Sequence, residues 1–460
     1  MKKSVKIAMI LGITVCLLLI FGLGILAWAL PQPTYSEYER RDLEQMPSFN
    51  LEDFFAGKFT KQIEISFADT FAFRELFVEA SSLIDEAKGF HESGTIYGST
   101  PPAPTEPEEP KEETKPSDPM EEQPSVDEPE EPIIPEEPVV PEEPEEEEPD
   151  DGATGETIAG IFVYKGMGFE LLGRSEDAES RYASVVSKYR TMLPDSVTVY
   201  SMVVPKHAEF SLPKKYKSLT ASAKDCIDNI YSQIDDRVVK VDAYSKLKEH
   251  SKEYIYFNTD HHWTGLGAYY GYTAFCEAAG LTPYKYEDYT KHTIEGFLGT
   301  LYTTTMDNTM KENPDYVEWC DLPVNNTSYQ YANRAGLQSY TELPVMASYA
   351  KGVNSYGVYL HGDFQMTIIR TDIKNGRKCL IVKESYGNAL STYIASNFEE
   401  TYVIDERYFE GNLVDVVKER GITDVLVVNN VSAANTKYHI GNIENLLTQE
   451  FSGSIVYPED

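Results

Sequence analysis

The sequence predicts an α/β protein whose mostly parallel sheet carries helices on both faces, preceded by one transmembrane helix and interrupted by a disordered acidic insertion. Three observations lead to this prediction. The chain opens with an uncharged apolar run, an acidic proline-rich segment follows at 101–150, and from residue 158 onward strand-like runs alternate with helical ones. Such alternation is typical of a parallel sheet whose strands are joined by helices.

The first thirty residues predict a membrane anchor. Lys2, Lys3 and Lys6 precede 24 uncharged residues at 7–30, and about 20 apolar residues suffice to span a bilayer. The positive flank is expected on the cytoplasmic side, so the large C-terminal part is expected outside the cell. Residues 27–29 read Ala-Trp-Ala, which is also compatible with signal-peptide cleavage. Because the apolar run exceeds the usual signal-peptide core of roughly 7–15 residues, we expect an uncleaved single-pass anchor in the cell membrane.

Most of the chain's negative charge lies in the insertion. Residues 101–150 hold 21 Asp and Glu, 2 Lys and 15 of the 26 prolines, and contribute −19 to a formal net charge of −35. Too few apolar side chains are present to offset the entropy of ordering such a segment, so we predict a disordered, extended linker over 99–157. The linker is either a spacer or a tolerated insertion. No basic face remains elsewhere, so we expect no nucleic-acid partner.

The linker separates two parts of the predicted ectodomain. Residues 31–98 have apolar side chains at helical spacing around 55–67 and 71–84, which predicts a helical part. Residues 158–460 form the α/β part. Its predicted strands cover 158–166 (a strand or hairpin), 196–205, 238–244, 253–257, 377–382, 401–405 and 422–430. Its predicted helices cover 175–193, 221–235, 266–279, 388–397 and 413–420.

The residues at 285–355 fit neither pattern clearly, since they are rich in Tyr, Thr and Asn. We expect short strands and long loops there. The region is either the lining of a sugar groove or a tyrosine-rich surface. Its candidate groove residues are Tyr316, Trp319, Tyr329, Tyr331 and Tyr340.

Two short motifs stand where a predicted strand passes into a helix: YFNTDHHW at 256–263 and CLIVKESYGNAL at 379–390. The carboxyl ends of strands in an open α/β sheet lie at one edge, so the two motifs can meet. Ser385 follows the strand residue Val382 by three positions. A serine on such a turn exposes its hydroxyl close to free backbone N–H groups, which suit a developing oxyanion.

Spacing separates the roles of the two histidines. In an extended or turn segment residues i and i+2 point the same way, so Asp260 and His262 share a side and His261 points away. An aspartate beside an imidazole fixes its tautomer and stabilises the imidazolium that forms when a serine is deprotonated. Ser385, His262 and Asp260 therefore fit a nucleophile, a base and an orienting acid. Trp263 would wall the site.

Structural readings of the same residues stay open. Asp260 with His262 is often a capping pair, and Ser385 alone fits a helix N-cap. A metal site, as in a metal-dependent deacetylase, would need a third ligand. The histidines at 91, 207, 250, 292, 361 and 439 form no ligand-spaced pair, so we expect no metal and no other cofactor. Cys16 lies in the apolar run, and the cysteines at 226, 276, 320 and 379 form no CxxC pattern, which predicts buried thiols or at most two disulfides.

The segment TDHHWTGLGAYYGY resembles the signature of the DHHW family of bacterial surface proteins, which are similar to the alginate O-acetylation proteins of the AlgX and AlgJ type. The resemblance extends to Pro205-Lys206 in MVVPKHAEF, to the serine block around Ser385, and to Asp405, Arg407 and Tyr408 after it. It covers about 35–98 and 158–432. It implies an SGNH hydrolase-like three-layer sandwich over 158–460.

The resemblance also implies a function. Ser385, His262 and Asp260 would form the catalytic triad of an O-acyltransferase or esterase that O-acetylates a cell-surface polysaccharide. The resemblance and their nearness to the motifs make Arg407, Trp263, Tyr386 and Asp363 the substrate-binding candidates. The implied partners are a cell-surface glycan and a multi-spanning membrane O-acyltransferase.

The sequence departs from the family pattern at two places. The serine block reads Lys-Glu-Ser where an aspartate commonly precedes the serine, and Asp363 of HGD stands where an asparagine is expected. If that asparagine supplied an oxyanion donor, a carboxylate would oppose it. These departures support the alternative of a non-catalytic glycan-binding or scaffold protein in a cell-envelope acetylation complex.

Overall fold

The computed structural model describes residues 35–36, 41–42, 45–50, 59, 63, 66–67, 154–333 and 336–459. The predicted anchor, almost all of the predicted linker and most of the part at 31–98 lie outside these residues. Phe59, Ile63, Ser66 and Phe67 are helical. Within the described ranges, no helix has both the length and the apolar character needed to cross a membrane. The anchor, the linker and the domain boundaries therefore stay predictions.

Two short strands lie in the part at 31–98, and the other described strands and helices follow from residue 156 onward. The strands are β1 (Tyr35–Ser36), β2 (Arg41–Asp42), β3 (Glu156–Ile158), β4 (Ile161–Tyr164), β5 (Met167–Phe169), β6 (Thr198–Val204), β7 (Val239–Lys240), β8 (Lys291–Phe297), β9 (Asp315–Cys320), β10 (Asn326–Tyr331), β11 (Thr341–Leu343), β12 (Met366–Thr371), β13 (Lys378–Lys383), β14 (Glu400–Asp405) and β15 (Asp424–Asn430). The α-helices are α1 (Glu176–Met192), α2 (His207–Ser211), α3 (Ala223–Gln233), α4 (Ala243–Glu249), α5 (Gly265–Ala279), α6 (Thr300–Thr305), α7 (Asn308–Glu312), α8 (Gly387–Ile394), α9 (Leu413–Arg420) and α10 (Lys437–Thr448).

The central sheet has the strand order β11-β10-β12-β14-β13-β15-β6-β7. The strands β14, β13, β15, β6 and β7 run parallel to one another. The strands β12, β10 and β11 continue the sheet on the β14 side with antiparallel pairing. Every residue of β14 and β15 is buried, as expected for parallel strands covered on both faces. The prediction of an α/β fold with a large, mostly parallel sheet is confirmed.

Side chains from successive strand positions enter two separate hydrophobic cores. Ile381 and Leu426 belong to a core that includes residues of α4, α5 and α8. Their neighbours Leu380 and Val427 belong to a second core that includes residues of α1, α3, α9 and α10. Because successive side chains of a strand point to opposite faces, the sheet lies between two helical layers.

Two predicted elements differ from the structure. The run at 253–257 is not a strand, although Ile255, Tyr256 and Phe257 are buried; its pairing is an isolated bridge between Tyr256 and Trp263. Buried aromatic and β-branched side chains satisfy a packed loop as well as a strand, and composition does not distinguish them. The predicted strand at 238–244 is shortened to Val239–Lys240, because α4 begins at Ala243.

The Tyr-rich region at 285–355 contains β8, β9, β10 and β11. Its proposed sugar-groove aromatics are mostly covered: Tyr331 and Trp319 are buried, and Tyr316 is the exposed member of the set. The ring of Tyr254 stacks on Tyr316 with the ring centroids 4.8 Å apart. The interpretation of this region as a sugar groove is therefore not supported. The cysteines of the described part, at 226, 276, 320 and 379, are free and buried.

Candidate active site

Ser385 lies on a tight turn between β13, which ends at Lys383, and α8, which begins at Gly387. A Cβ atom at Gly387 would lie 2.3 Å from Cβ of Lys383, so the turn accepts only glycine there. The turn thus places the serine at the carboxyl end of a central parallel strand. This position agrees with the sequence prediction.

Glu384 ties the serine turn to the neighbouring strand β15. Its Oε1 accepts hydrogen bonds from the backbone N–H of Asn430 at 2.9 Å and from Asn430 Nδ2 at 3.0 Å. Its Oε2 accepts from the backbone N–H of Tyr386 at 3.0 Å. Burial raises the pKa of Glu384, but these N–H donors outweigh it and hold the pKa below its ordinary value. Glu384 is therefore ionised and links the serine turn to β15. Its side chain is one methylene longer than that of aspartate, which lets it reach that strand.

His262 joins Ser385 to Asp260. The Nε2 atom of His262 lies 2.8 Å from Oγ of Ser385, and its Nδ1 lies 2.5 Å from Oδ1 of Asp260. His262 and Asp260 are 2% and 1% exposed, so water competes little for either bond. The structure thus brings together the three side chains predicted from the motifs, in the order Ser385, His262 and Asp260.

The carboxylate of Asp260 has donors on both oxygens. Oδ1 also accepts from the backbone N–H of His262 at 3.1 Å. Oδ2 accepts from the backbone N–H of Thr300 at 2.8 Å and from its hydroxyl at 2.9 Å. A Cβ atom at Gly299 would lie 2.2 Å from Cβ of Asp260, so the close approach of the α6 N-terminus depends on glycine. These contacts fix the carboxylate and therefore the orientation of the imidazole.

His261 is turned away from the serine, as the i, i+2 spacing predicts. Its Nδ1 lies 2.5 Å from Oγ1 of Thr300; because that hydroxyl donates to Asp260, the histidine is the donor in this contact. Burial, followed by the neighbouring His262, lowers the pKa of His261 to about 4. The ring is therefore neutral at neutral pH and adds no competing charge beside His262.

Asp260, His261 and His262 also have ligand atoms within 4.8 Å of one another, a spacing that suits a metal ion. The nitrogens of His262 and Nδ1 of His261 are already used, by Asp260, Ser385 and Thr300. Metal binding would therefore have to break the serine contact or the carboxylate contact. The arrangement fits a triad better than a metal site.

Aromatic side chains hold the histidine loop against the serine turn. The ring of Tyr356 stacks on the His262 ring with centroids 3.8 Å apart and an angle of 8°, and its hydroxyl donates to the carbonyl oxygen of Ser385 at 3.0 Å. Trp263 Nε1 donates to the carbonyl oxygen of Tyr386 at 3.0 Å, and the Tyr386 hydroxyl donates to the carbonyl oxygen of His261. Trp263 and Tyr386 are fully buried. Their placement favours a role in packing the loop over direct contact with substrate.

Asp363 and Arg407 lie in a cluster of four charged side chains beside the serine turn. Oδ1 of Asp363 accepts from Nζ of Lys383 at 3.1 Å and from Nδ2 of Asn388 at 2.9 Å, and its Oδ2 lies 2.8 Å from Nη2 of Arg407. Asp405 accepts from Lys383 and Arg407, each at 2.7 Å. Burial raises the pKa of Asp363, but Lys383 and Arg407 outweigh it and hold the pKa far below its ordinary value. The two negative and two positive formal charges of this cluster therefore cancel.

This balance bears on the two departures from the family pattern. The charge of Asp363 is matched by cations, and Glu384 is held by Asn430 and Tyr386. The carboxylate of Asp363 is thus ion-paired, and that of Glu384 is hydrogen-bonded by N–H donors, with Oγ of Ser385 3.4 Å from its Oε2. The departures therefore no longer favour a non-catalytic protein.

The expected free N–H groups at the helix start are already used. Tyr386 donates to the Glu384 side chain, Gly387 to the Glu384 carbonyl at 2.9 Å and Asn388 to the Ser385 carbonyl at 3.1 Å. The sequence prediction of free first-turn donors was wrong for these three, because the tight turn folds back on itself. In the described part of the chain, no protein group accepts from the backbone N–H of Ser385, which makes it the candidate oxyanion donor of the turn.

A second histidine–carboxylate pair, of the half-buried His439 with the buried Glu406, was missed by the sequence reasoning. His439 Nδ1 contacts Oε1 of Glu406, and Glu406 Oε2 accepts from Nδ2 of Asn429 at 3.2 Å. Burial lowers the pKa of His439, but the hydrogen bond and charge of Glu406 outweigh it and raise the pKa above its ordinary value. Glu406 and His439 are 33 positions apart, and no local pattern links them.

The fold and this site define an α/β protein with a serine–histidine–aspartate constellation at the carboxyl end of a parallel sheet. The family model described as DHHW protein matches residues 135–404. The chain belongs to the DHHW family. No curated protein matches the chain significantly.

Solved structures are similar to this chain over about two thirds of its length. A DHHW family protein from Eubacterium siraeum is 33% identical with a TM-score of 0.60, and the match covers 65% of this chain and 99% of that one. PatB1 of Bacillus cereus, in a structure with a sulfonyl adduct, is 16% identical with a TM-score of 0.51 and coverages of 65% and 99%. The O-acetyltransferase domain of Pseudomonas putida AlgJ is 15% identical with a TM-score of 0.37 and coverages of 64% and 98%. At 16% identity, PatB1 supports the fold alone.

Proposed function

We propose that the protein is an O-acyltransferase or esterase that acts on a cell-surface polysaccharide through Ser385, His262 and Asp260. One observation carries the proposal: the His262 imidazole bridges a serine hydroxyl at 2.8 Å and a buried carboxylate at 2.5 Å. A serine hydroxyl becomes a useful nucleophile when an adjacent base removes its proton and an acid orients that base.

In the first half-reaction, Oγ of Ser385 attacks the carbonyl carbon of an acyl donor and its proton passes to Nε2 of His262. The carboxylate of Asp260 stabilises the imidazolium through the Nδ1–H bond. The backbone N–H of Ser385 is placed to stabilise the oxyanion, since donors fixed before reaction cost no reorganisation. The tetrahedral intermediate collapses when the leaving alcohol takes the proton from His262, which leaves an acyl-serine.

In the second half-reaction, His262 removes the proton of an incoming hydroxyl, which attacks the acyl-serine. A sugar hydroxyl gives the acylated glycan, and water gives hydrolysis. Collapse of this second intermediate breaks the bond to Ser385, and His262 returns the proton to its Oγ. The enzyme is thereby regenerated.

The acyl group, the glycan and the location rest on other support. An acetyl group and a glycan acceptor follow from the similarity of the DHHW signature to alginate O-acetylation proteins. The extracellular position follows from the apolar N-terminal run with its lysine flank. A multi-spanning membrane O-acyltransferase that supplies the acyl group is part of the proposal on the same resemblance.

Covalent labelling of Ser385 tests the nucleophile. A sulfonyl adduct is described for PatB1, and a sulfonyl fluoride sulfonylates an activated serine hydroxyl with loss of fluoride. We expect phenylmethanesulfonyl fluoride to label the full-length chain on the peptide that carries Ser385. His262→Ala should slow the labelling strongly, and Ser348→Ala, at an exposed serine away from the triad, should leave it unchanged. Equal labelling of parent and Ser385→Ala would contradict the proposal.

A cellular measurement tests the glycan product. Cells that carry Ser385→Ala should lose ester-linked acetyl groups from their surface polysaccharide, measured by mass spectrometry before and after mild alkali. Cells with Ser348→Ala are the control. Unchanged acetylation in the Ser385→Ala cells would remove the glycan part of the proposal while leaving the labelling result intact.

A further inference from the structure

A cavity of about 470 Å³ lies beside the four-charge cluster, within the range of roughly 300–1,000 Å³ usual for ligand sites. Arg407 and Tyr408 line it from the segment after β14, Asn442 and Asn445 line it from α10, and Gln449 lines it directly after that helix. The cavity lies at the same carboxyl edge of the sheet as the serine turn.

The cavity is linked to the nucleophile by short contacts. Lys383 and Asp405 are partners in the parallel pair β13 and β14, so Ser385 and Arg407 each lie two residues beyond adjacent strand ends. Asp363 joins the two segments, because it contacts Arg407 Nη2 at 2.8 Å and Asn388 Nδ2 at 2.9 Å. A polymer that lies across this edge can contact both the serine and the cavity.

The lining offers hydrogen-bonding groups that are not used within the described protein. Nδ2 of Asn442 is buried without a partner in the described part of the chain, although a buried donor normally has one. Among the described residues, none accepts from Nη1 of Arg407, whose Nε and Nη2 are held by Asp405 and Asp363. Side-chain amides donate and accept at once, as sugar hydroxyls do. Tyr408 on the lining is 40% exposed and offers a ring face to a pyranose.

The charges of the lining exclude one class of sugar. Arg407 is already shared by Asp363 and Asp405, and Glu406 is paired with His439. Glu410 and Glu450 also line the cavity, both are exposed, and no cation of the described residues pairs with them. A sugar carboxylate would therefore meet two like charges, whereas a hydroxyl, amide or amine would not.

We propose that this cavity binds the acceptor glycan through a sugar residue that carries no carboxylate, such as a neutral hexose, an N-acetylhexosamine or a hexosamine. The role as acceptor site rests on the proposed acyl transfer; the sugar preference rests on the lining alone. The amides of α10 hold the hydroxyls, and the two glutamates select against uronic acids.

Binding of defined oligosaccharides to the full-length Ser385→Ala chain tests this without turnover. The probes are tetramers of N-acetylglucosamine, glucosamine and galacturonic acid, measured by isothermal titration calorimetry. We expect the first two to bind, and the galacturonate tetramer to bind at least about tenfold more weakly. Asn442→Ala combined with Asn445→Ala should weaken binding about tenfold, the effect of losing one or two hydrogen bonds. Thr448→Ala, at an exposed residue of α10 outside the cavity, is the matched control.

Removing the two negative charges of the lining tests the predicted sugar preference directly. Glu410→Gln combined with Glu450→Gln should narrow the gap between galacturonate and N-acetylglucosamine tetramers. Unchanged unfolding midpoints confirm that the variants fold. No binding of any tetramer at millimolar concentration, equally tight galacturonate binding, or unchanged binding by the double asparagine variant would each overturn the proposal.

The outcomes separate this inference from the proposed function. Sulfonylation of Ser385 without oligosaccharide binding would retain the nucleophile and reject the cavity. Oligosaccharide binding without any reaction at Ser385 would retain the cavity and reject the acyl transfer.

Discussion

Two histidine–carboxylate pairs lie beside the serine turn, and they differ in what the second ring nitrogen of the histidine faces. In the pair of His262 and Asp260, Nε2 faces the hydroxyl of Ser385. In the pair of His439 and Glu406, no hydroxyl of the described residues lies within hydrogen-bond distance of Nε2. Both carboxylates have donors on both oxygens: Asp260 from Thr300 and His262, and Glu406 from His439 and Asn429. A histidine held by a carboxylate is therefore not evidence of catalysis by itself. The hydroxyl beside Nε2 is what makes His262 a candidate base.

The largest expected difference between the pairs is in activity. His262→Ala should lower kcat/KM for p-nitrophenyl acetate by roughly 10⁴-fold or more, because the serine then lacks its base. His439→Ala, the matched change in the other pair, should change it by less than about tenfold, since that ring contacts no reacting group. Initial rates of the purified variants over a range of p-nitrophenyl acetate concentrations give kcat/KM. Unfolding midpoints show whether both variants fold. A similar loss in both variants would erase the distinction.

Changing the carboxylate of each pair to its amide tests the role of the acid in the same two pairs. Asp260→Asn should lower kcat by roughly 10³-fold, because an amide leaves the imidazole in the wrong tautomer and stabilises no imidazolium. Glu406→Gln should leave kcat nearly unchanged but lower the pKa of His439, since the charge that raises it is removed. Rates and a histidine titration by NMR measure the two effects. An unaffected kcat in Asp260→Asn would rule out the triad as drawn.

A change of pH should alter the stability contributed by His261 and by His439 in opposite directions. The pKa of His261 is lowered to about 4 by burial and then by His262, against about 6.5 in the unfolded chain. Its contribution to stability is present above pH 6.5 and falls, by up to about 3 kcal/mol, as the pH drops toward 4. The raised pKa of His439 contributes stability that is present below about pH 6.5 and is lost as the pH rises through the folded value.

Urea unfolding as a function of pH separates these contributions. His261→Asn should flatten the loss of unfolding free energy between pH 6.5 and 4.5. His439→Gln should cost more at pH 6 than at pH 8. His207, whose pKa burial also lowers to about 4, is retained in both variants and provides a common background. Parallel curves for parent and His261→Asn would show that the ring does not stay neutral.

The smallest expected effect concerns the aromatic face on His262. Tyr356→Phe keeps the stacked ring and loses the hydrogen bond to the Ser385 carbonyl, whereas Tyr356→Leu loses both. A ring face stabilises a cation by about 0.5–1 kcal/mol, so Tyr356→Leu should lower kcat by about fivefold, measured from initial rates at saturating substrate. Tyr356→Phe should keep the kcat of the parent. An equal loss in both variants would assign the effect to the hydroxyl.

The sequence predicted the parts of the site that follow from local geometry. Alternating strands and helices predicted the parallel sheet, and the i, i+2 rule separated His262 from His261. The position of Ser385 after a strand predicted its place at the sheet edge. Each of these depends on residues close together in the chain, where backbone geometry limits the alternatives.

The remaining parts depend on chain segments that only the folded protein brings together. Thr300 reaches Asp260 from 40 positions away and Gly299 adjoins it, and Tyr356 stacks on His262 from a 3-10 helix in a region predicted to be irregular. The first-turn N–H groups were expected to be free, yet Glu384 and the turn itself use them. Sequence spacing indicates which groups can lie close together. It does not indicate which hydrogen bond forms when several acceptors are within reach of one donor.

The cluster of Asp363, Asp405, Lys383 and Arg407 has a consequence for the evolution of the family. Because its two acids balance its two bases, a single change of Asp363 to asparagine leaves Lys383 and Arg407 to share the one carboxylate of Asp405, and a largely buried excess charge is costly. The effect of residue 363 therefore depends on its neighbours, which is epistasis. Relatives with asparagine in this place should carry a neutral residue in the place of Lys383 or Arg407, so that the positions covary.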